Sequence, residues 1–552
     1  MKIIASSEQG KFKTSHFMTM SILLCAIVFL AVSFPLSSNN LPYLDDFYLM
    51  KEQELLGFWG PTNIFQSLWG YYRIVYTSLM SVVFSASEHM WALRVIGMTL
   101  HACTAALLYI FIKNCLQSRH VALIAFAMFL FFPYAYEAIA WPSNVGQYPL
   151  APFLALLGAC IVVCYGTQKL AIAICGALIM TFSFWIHEQV GPIVLALTAL
   201  ICFQIERRSH RFLFAVSVVV PVFLNLLLIY LTRDHNIRLS GADAARVDYL
   251  FINVEYIKQL IRTTPLGDMF YASAGIGLSW VSVLITATAM VSSVAIFVSS
   301  TINRDTHEKP LSGRSITFTA VVFILMVGTY LVSLVPILLS PIPWHTARVV
   351  YIPFLAFAFA FAAFLEFFHR LTPPVLMKTY SLALSLLAVG IILWQTHALS
   401  SEAVAYDYQI RLNDSRSREA VRLVDRAHDL TETSLLVIRG FPGSDNGRPQ
   451  FGEHIIGMVP GQFRANLGFR VYNGTPLPRF SFASGWDGLC INESGHIAIQ
   501  ANVLKKIYEW EKIKSLTYLI HANGYFTRSY GHGPRFDPGI HPTFLSKCKS
   551  VN

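Results

Sequence analysis

Long apolar runs alternate with short polar connections through the first three quarters of the chain, and then the pattern stops. A membrane-spanning helix needs roughly 20 mostly apolar residues. Runs of that kind lie near 17–34, 90–112, 121–135, 147–165, 170–186, 190–204, 212–231, 277–299, 316–339, 349–368 and 379–398. The pattern predicts about eleven spans. The first run is too long for a signal peptide, and no small-residue cleavage site follows it, so a permanent helix is expected. The segment 64–84 is apolar but carries Arg73 mid-run, which suits an interfacial or re-entrant helix better than a span. Beyond about residue 399 the sequence is polar, with strand-like runs at Leu435–Arg439 and Tyr518–His521 and a turn-rich PGSDNGRP stretch. This tail reads as a small mixed α/β domain, long enough to bury its own core. The predicted organisation is a transmembrane domain over 1–399 and a C-terminal domain over 400–552.

Composition sharpens that picture. The chain of 552 residues is 55% hydrophobic and only 13% charged, with a mean hydropathy of +0.53. Soluble, disordered and disulfide-rich secreted classes are excluded. The net charge of +10 therefore bears on topology, and no nucleic-acid partner is expected. With the N-terminus inside, every inside segment is basic: Lys2, Lys11 and Lys13, then Lys113 and Arg119, Lys169, Arg207 to Arg211, Arg304 to Arg314, and Arg370 with Lys378. Two outside turns, 136–146 and 187–189, carry no Lys or Arg. An odd number of spans puts the tail outside. The fold class expected is an α-helical polytopic membrane protein with a small external α/β domain.

Seven cysteines fall in or beside the spans, where a thiol usually serves as a small apolar group. Cys490 and Cys548 are the only two in the tail, and an oxidising compartment would let them pair. There is no zinc spacing, P-loop or Rossmann glycine pattern.

Charges at membrane level are costly, so each is a functional candidate. Asp45 and Asp46 sit in LPYLDDFYL just after the first span. Adjacent carboxylates beside aromatics are tolerated where they bind a cation or an acceptor hydroxyl, or where one holds a proton. They are equally readable as solvated acids capping the next helix. Glu137, between Tyr136 and Trp141, reads as a cleft lining or as an interfacial Glu beside belt aromatics. His187 and Glu188 interrupt an apolar stretch and read as a tight turn or as site residues. Arg348, with His345 close by, could hold a phosphate in a bidentate way, or anchor an interface. Arg73 and Arg94 are weaker cases of the same kind. His101, well inside the second span, reads as a helix–helix hydrogen-bonding residue. Glu366, beside His369 and Arg370, reads as a local ion pair away from the chemistry. In the topology set by Lys and Arg, the Asp pair, Glu137, His187, Glu188, His345 and Arg348 map to one outer face. Carboxylates with a cation there suit proton removal from an acceptor hydroxyl and binding of a lipid-borne phosphate.

At these residues the chain resembles the GT-C class of membrane glycosyltransferases. It is most similar there to the protein O-mannosyltransferase family whose relatives carry tetratricopeptide repeats, and to bacterial cousins of that family. The ordered pieces are Asp45-Asp46, Trp69-x-x-Tyr72-Arg73, Leu100-His101, Tyr136-Glu137-Ala138-Ile139-Ala140-Trp141, His187-Glu188 in place of a Lys-Glu, and Ala347-Arg348 through Pro353. Pro142, Asn144 and His187 depart from the pattern, and the tail lacks tetratricopeptide periodicity. The resemblance implies a polyprenyl-phosphate-sugar donor and transfer of the sugar to a hydroxyl on the outer face, with inversion. Asp45 is then the general base or acceptor-positioning residue. Asp46 and Glu137 shape the site, or hold a divalent cation (Mg²⁺ or Mn²⁺) if one is used. Arg348, with Arg73 or His345, neutralises the departing lipid phosphate. The acceptor classes are protein, surface glycan and lipid. A compact membrane domain without a long external insertion looks bacterial, which implies the inner membrane, with the N-terminus cytoplasmic and the tail periplasmic. An O-antigen ligase or polymerase is the second enzyme reading, although such proteins do not typically place an acidic pair after the first span. A transporter or lipid flippase would predict repeated halves and charges near the bilayer midplane, neither of which the sequence displays.

Overall fold

The computed structural model describes residues 2–38, 40–41, 46, 50, 57–60, 74–85, 89–232, 280–305, 313–338 and 347–425, and the tail strands 434–439, 487–491, 497–501, 506–509, 515–522, 525–532 and 546–547. The chain divides into two units: 1–40 with 52–407, and 41–51 with 408–552.

The first unit is a helical bundle. In chain order its helices are α1 (Lys2–Ser37), α2 (Ile74–Ser85), α3 (Met90–Leu116), α4 (Arg119–Leu130), α5 (Ala135–Ala140), α6 (Leu150–Ile161), α7 (Leu170–Ile186), α8 (Gly191–Gln204), α9 (Arg208–Thr232), α10 (Trp280–Asp305), α11 (Gly313–Leu338) and α12 (Tyr351–Leu371). Helix α13 (Met377–Asp425) begins in this unit. Among the described residues, seven helical stretches are long and apolar enough to cross a membrane: His16–Ser37, Met90–Leu116, Pro142–Gly166, Arg208–Leu228, Ile316–Val335, Arg348–Leu371 and Pro374–Val404. The protein is thus α-helical and, by length and composition, multi-pass. Four shorter apolar helices, at Arg119–Leu130, Leu170–Ile186, Glu188–Gln204 and Val283–Val298, coincide with the other four runs of the sequence pattern.

The surface of this unit suits lipid. Helix α9 exposes Phe212, Val219, Val220, Phe223, Leu224 and Leu227, and α1 exposes Leu23, Ile27 and Phe34. Apolar faces of that extent on a chain in water would be an association liability. Inside, α4 is buried along nearly its whole length, with α3 and α12 packed against it. Small residues let helices approach, as is usual where lipid removes the hydrophobic drive between them. A Cβ on Gly158 of α6 would collide with the Gly176 carbonyl of α7, and a Cβ on Gly176 would lie 2.7 Å from the Gly158 carbonyl.

Among the described residues of the second unit, seven strands form two sheets. The first has the order β1-β5-β6, with β1 (Ser434–Arg439), β5 (Ser515–Ala522) and β6 (Tyr525–His532). The second has the order β4-β3-β2-β7, with β2 (Asp487–Ile491), β3 (Ile497–Ala501), β4 (Lys506–Glu509) and β7 (Ser546–Lys547). The two strand-like runs of the sequence fall in β1 and β5, which pair in parallel with Leu435 opposite Leu516. A parallel pair needs a long crossover, here the chain between 439 and 515.

Candidate active site at Glu137 and Arg348

Helix α5 is only six residues long, and its end is written in the sequence. Trp141 precedes Pro142, a position that disfavours helical backbone, and it is extended at φ −89° and ψ 111°. Pro142 then opens the next turn, Pro142–Val145, where its missing N–H costs nothing. Glu137 sits in the first turn of α5, where a carboxylate is favoured by the exposed backbone N–H groups. At the other end, the fully buried Arg94 of α3 donates from Nε to the Ala140 carbonyl at 2.9 Å, placing a cation at the helix C-terminus. Gly97, one turn further along α3, lets the two backbones meet: a Cβ there would collide with the Ile139 carbonyl.

Against this short helix lies the 3₁₀ turn Ala347–Val350 that opens α12. The Arg348 backbone N–H donates to Glu137 Oε2 at 3.1 Å, across 211 residues of sequence. The Arg348 guanidinium carbon lies 4.1 Å from the centroid of the Trp141 ring, a cation–π geometry. Glu137 and Trp141 are buried and Arg348 is half-buried. Pro142 and Asn144 therefore have local work. Asn144 donates from Nδ2 to the Glu137 carbonyl at 3.3 Å, and Gln147 Nε2 donates to Asn144 Oδ1 at 3.0 Å. Tyr76 of α2 donates to the Ser143 carbonyl at 3.2 Å.

The next residue, Tyr148, carries the network to the second break in the apolar pattern. Its ring centroid is 4.8 Å from that of His187. His187 is extended and ends α7, and its Nδ1 accepts from the Gln189 backbone N–H at 3.2 Å. An accepting Nδ1 places the proton of the neutral ring on Nε2. The following turn, Glu188–Val190, is a single 3₁₀ turn before α8, with Glu188 half-buried.

His101 explains how the two halves of the site are held. Its Nδ1 lies 2.8 Å from the Tyr351 hydroxyl and its Nε2 lies 3.0 Å from the Leu130 carbonyl. Leu130 ends α4 just before the chain enters α5, and Tyr351 begins α12 three residues after Arg348. This buried imidazole therefore ties together the roots of the Glu137 and Arg348 segments, the helix–helix role expected of it. Replacing His101 with Ala should lower the thermal unfolding midpoint of the purified protein, with a loss of about 0.6–2 kcal/mol. An unchanged midpoint would show that the tie carries no weight.

The structure brings Glu137 and Arg348 together and links them to His187 through Asn144, Gln147 and Tyr148. Asp46 is buried and belongs to the second unit. Asp45, Arg73 and His345 lie outside the described residues. Cys490 lies in β2, and Cys548 is outside the described residues. Gln147 and Tyr148 escape sequence reasoning and Asn144 enters it without a role, although two amides three residues apart in an apolar stretch are a usable signal, because buried amides need partners. The other ligand-type cluster among the described residues, His120, Glu366 and His369, lies away from this site. Glu366 there pairs with Arg370 at 2.7 Å, as its spacing on α12 suggests. No protein-family model matches the chain, and no curated protein matches it.

Proposed function

We propose that the protein is a GT-C-like membrane glycosyltransferase that moves a sugar from a polyprenyl-phosphate donor to an acceptor hydroxyl on the outer face of a bacterial inner membrane. The observation that carries this reading is the contact between the Glu137-to-Trp141 element and Arg348. Two pieces of sequence that resemble one family's motifs, and that are far apart in the chain, meet through a hydrogen bond and a cation–π contact. With its backbone held by Glu137 and its face on Trp141, the guanidinium is oriented before any ligand arrives, and preorganised charge is what a departing phosphate needs. In the proposed reaction the acceptor oxygen forms a bond to the anomeric carbon as its proton passes to Asp45. The bond from that carbon to the phosphate oxygen breaks, its electron pair leaves with the polyprenyl phosphate, and the anomeric centre inverts. Purified full-length protein in liposomes should convert polyprenyl-phosphate hexose or pentose to free polyprenyl phosphate in the presence of acceptor. No turnover across a panel of such donors would count against the reading.

Eleven spans are proposed as the topology, the four shorter apolar helices crossing with the seven long ones. That parity puts the tail, proposed as an α/β domain, in the periplasm. An alkaline phosphatase fused to the C-terminus should then be active and a fluorescent protein there dark; the reverse pair of results would refute the topology. A Cys490–Cys548 disulfide is proposed with it. The β2–β7 register, with Cys490 opposite Ser546, supports proximity. Cys548 follows two residues after that partner in the sequence. Alkylation of the denatured protein should label neither tail thiol until a reductant is added. Labelling without reductant would refute the bond.

A further inference from the structure

A second polar cluster lies at the far end of α12, roughly 22 Å along the helix from Tyr351, and the proposed reaction leaves it unused. His120 comes from the first turn of α4, and Glu366 and His369 come from the last turns of α12. Their ligand atoms all lie within 4.8 Å of one another. His120 is 1% exposed and Glu366 4%, while His369 is half-buried. The two imidazole centroids are 4.6 Å apart.

The two oxygens of Glu366 are differently employed. Oε1 accepts from Arg370 Nε at 2.7 Å, and Arg370 Nη2 donates to the Leu116 carbonyl at 2.7 Å. Oε2 is buried and has no hydrogen bond among the described residues. It points toward His120, with Nε2 at 3.6 Å. A buried carboxylate oxygen left in this state is costly unless something satisfies it. A tetrahedral ion bound at about 2.0–2.2 Å separates neighbouring ligand atoms by about 3.4 Å, close to the 3.6 Å between His120 Nε2 and Glu366 Oε2; closing the set from its 4.8 Å limit takes a small inward shift. Two imidazoles and one carboxylate form a donor set suited to Zn²⁺, with water in the fourth place. Glu-x-x-His spacing on one helix puts both ligands on one face, as metal sites in helical bundles use it. The surroundings also fit. Arg370 fixes the carboxylate so that Oε2 faces inward, and Ser118 Oγ lies 3.3 Å from each ring nitrogen of His120, able to hold Nδ1 when Nε2 binds a metal.

We propose that His120, Glu366 and His369 bind one divalent transition-metal ion, with Zn²⁺ preferred, and that the ion staples the α3–α4 connection to the end of α12. The site is independent of the glycosyltransferase reading. It is tested on the full-length protein in detergent, stripped with a chelator and titrated with Co²⁺, whose visible absorption reports tetrahedral ligation, followed by competition with Zn²⁺. One equivalent of Co²⁺ should bind and be displaced by Zn²⁺. His369→Gln and Glu366→Gln should each weaken binding by about 100-fold or more. His369 is half-buried, so H369Q keeps the test valid if E366Q does not fold. Failure to bind either metal stoichiometrically would overturn the site. Binding retained by a folded variant would overturn it equally.

Discussion

Asp45→Asn should reduce sugar transfer by about 10²–10⁴-fold, the range that a general base contributes, while expression and thermal stability stay near those of the parent. The substitution keeps the shape but replaces an accepting oxygen with a donating NH2, and it removes the charge and the ability to accept the acceptor's proton. Of the two adjacent acids, Asp46 is buried, so Asp46→Asn should alter stability as well as rate. The informative comparison is transfer rate against unfolding midpoint for the two variants. Near-normal transfer by purified D45N would remove Asp45 from the chemistry.

Arg348→Ala should lower donor turnover by about 10²–10³-fold, the effect of deleting one preorganised group that stabilises developing charge. Arg348→Lys should fall between Ala and the parent, because it retains the charge but loses the planar fork and most of the stacking on Trp141. Trp141→Leu should cost less than Arg348→Ala, since it removes a contact of about 0.5–2 kcal/mol and leaves the guanidinium in place. Initial rates at saturating and limiting donor separate these effects. If R348A and R348K turned over donor equally and without impairment, Arg348 would be an interface anchor alone.

The parts of the molecule governed by hydropathy were readable from the sequence. Each apolar run has its helix, because burying backbone in lipid leaves few alternatives to a helix. His101 was readable for a related reason, since a polar ring at mid-helix must hydrogen-bond to another helix. The meeting of Glu137 with Arg348 was not written in local pattern. It depends on packing between elements 211 residues apart; the Lys and Arg pattern put those pieces on one outer face but could not bring them into contact. Residues 41–51 group with 408–552 rather than with the helices around them in sequence, a non-local association to which hydropathy is blind. His120 was hidden differently. It follows Arg119 in a short basic connection, where nothing in the local pattern marks it, yet it is almost fully buried beside Glu366.

The most direct test of the account is mass spectrometry of surface glycans, glycoproteins and lipid-linked sugars from a strain lacking the gene, compared with the same strain carrying the parent gene or Arg348→Ala. The account predicts loss of one hexose or pentose from an outer-face acceptor and accumulation of its polyprenyl-phosphate sugar. The parent gene should reverse both changes and R348A should not. Identical glycan and donor profiles with and without the gene would contradict it.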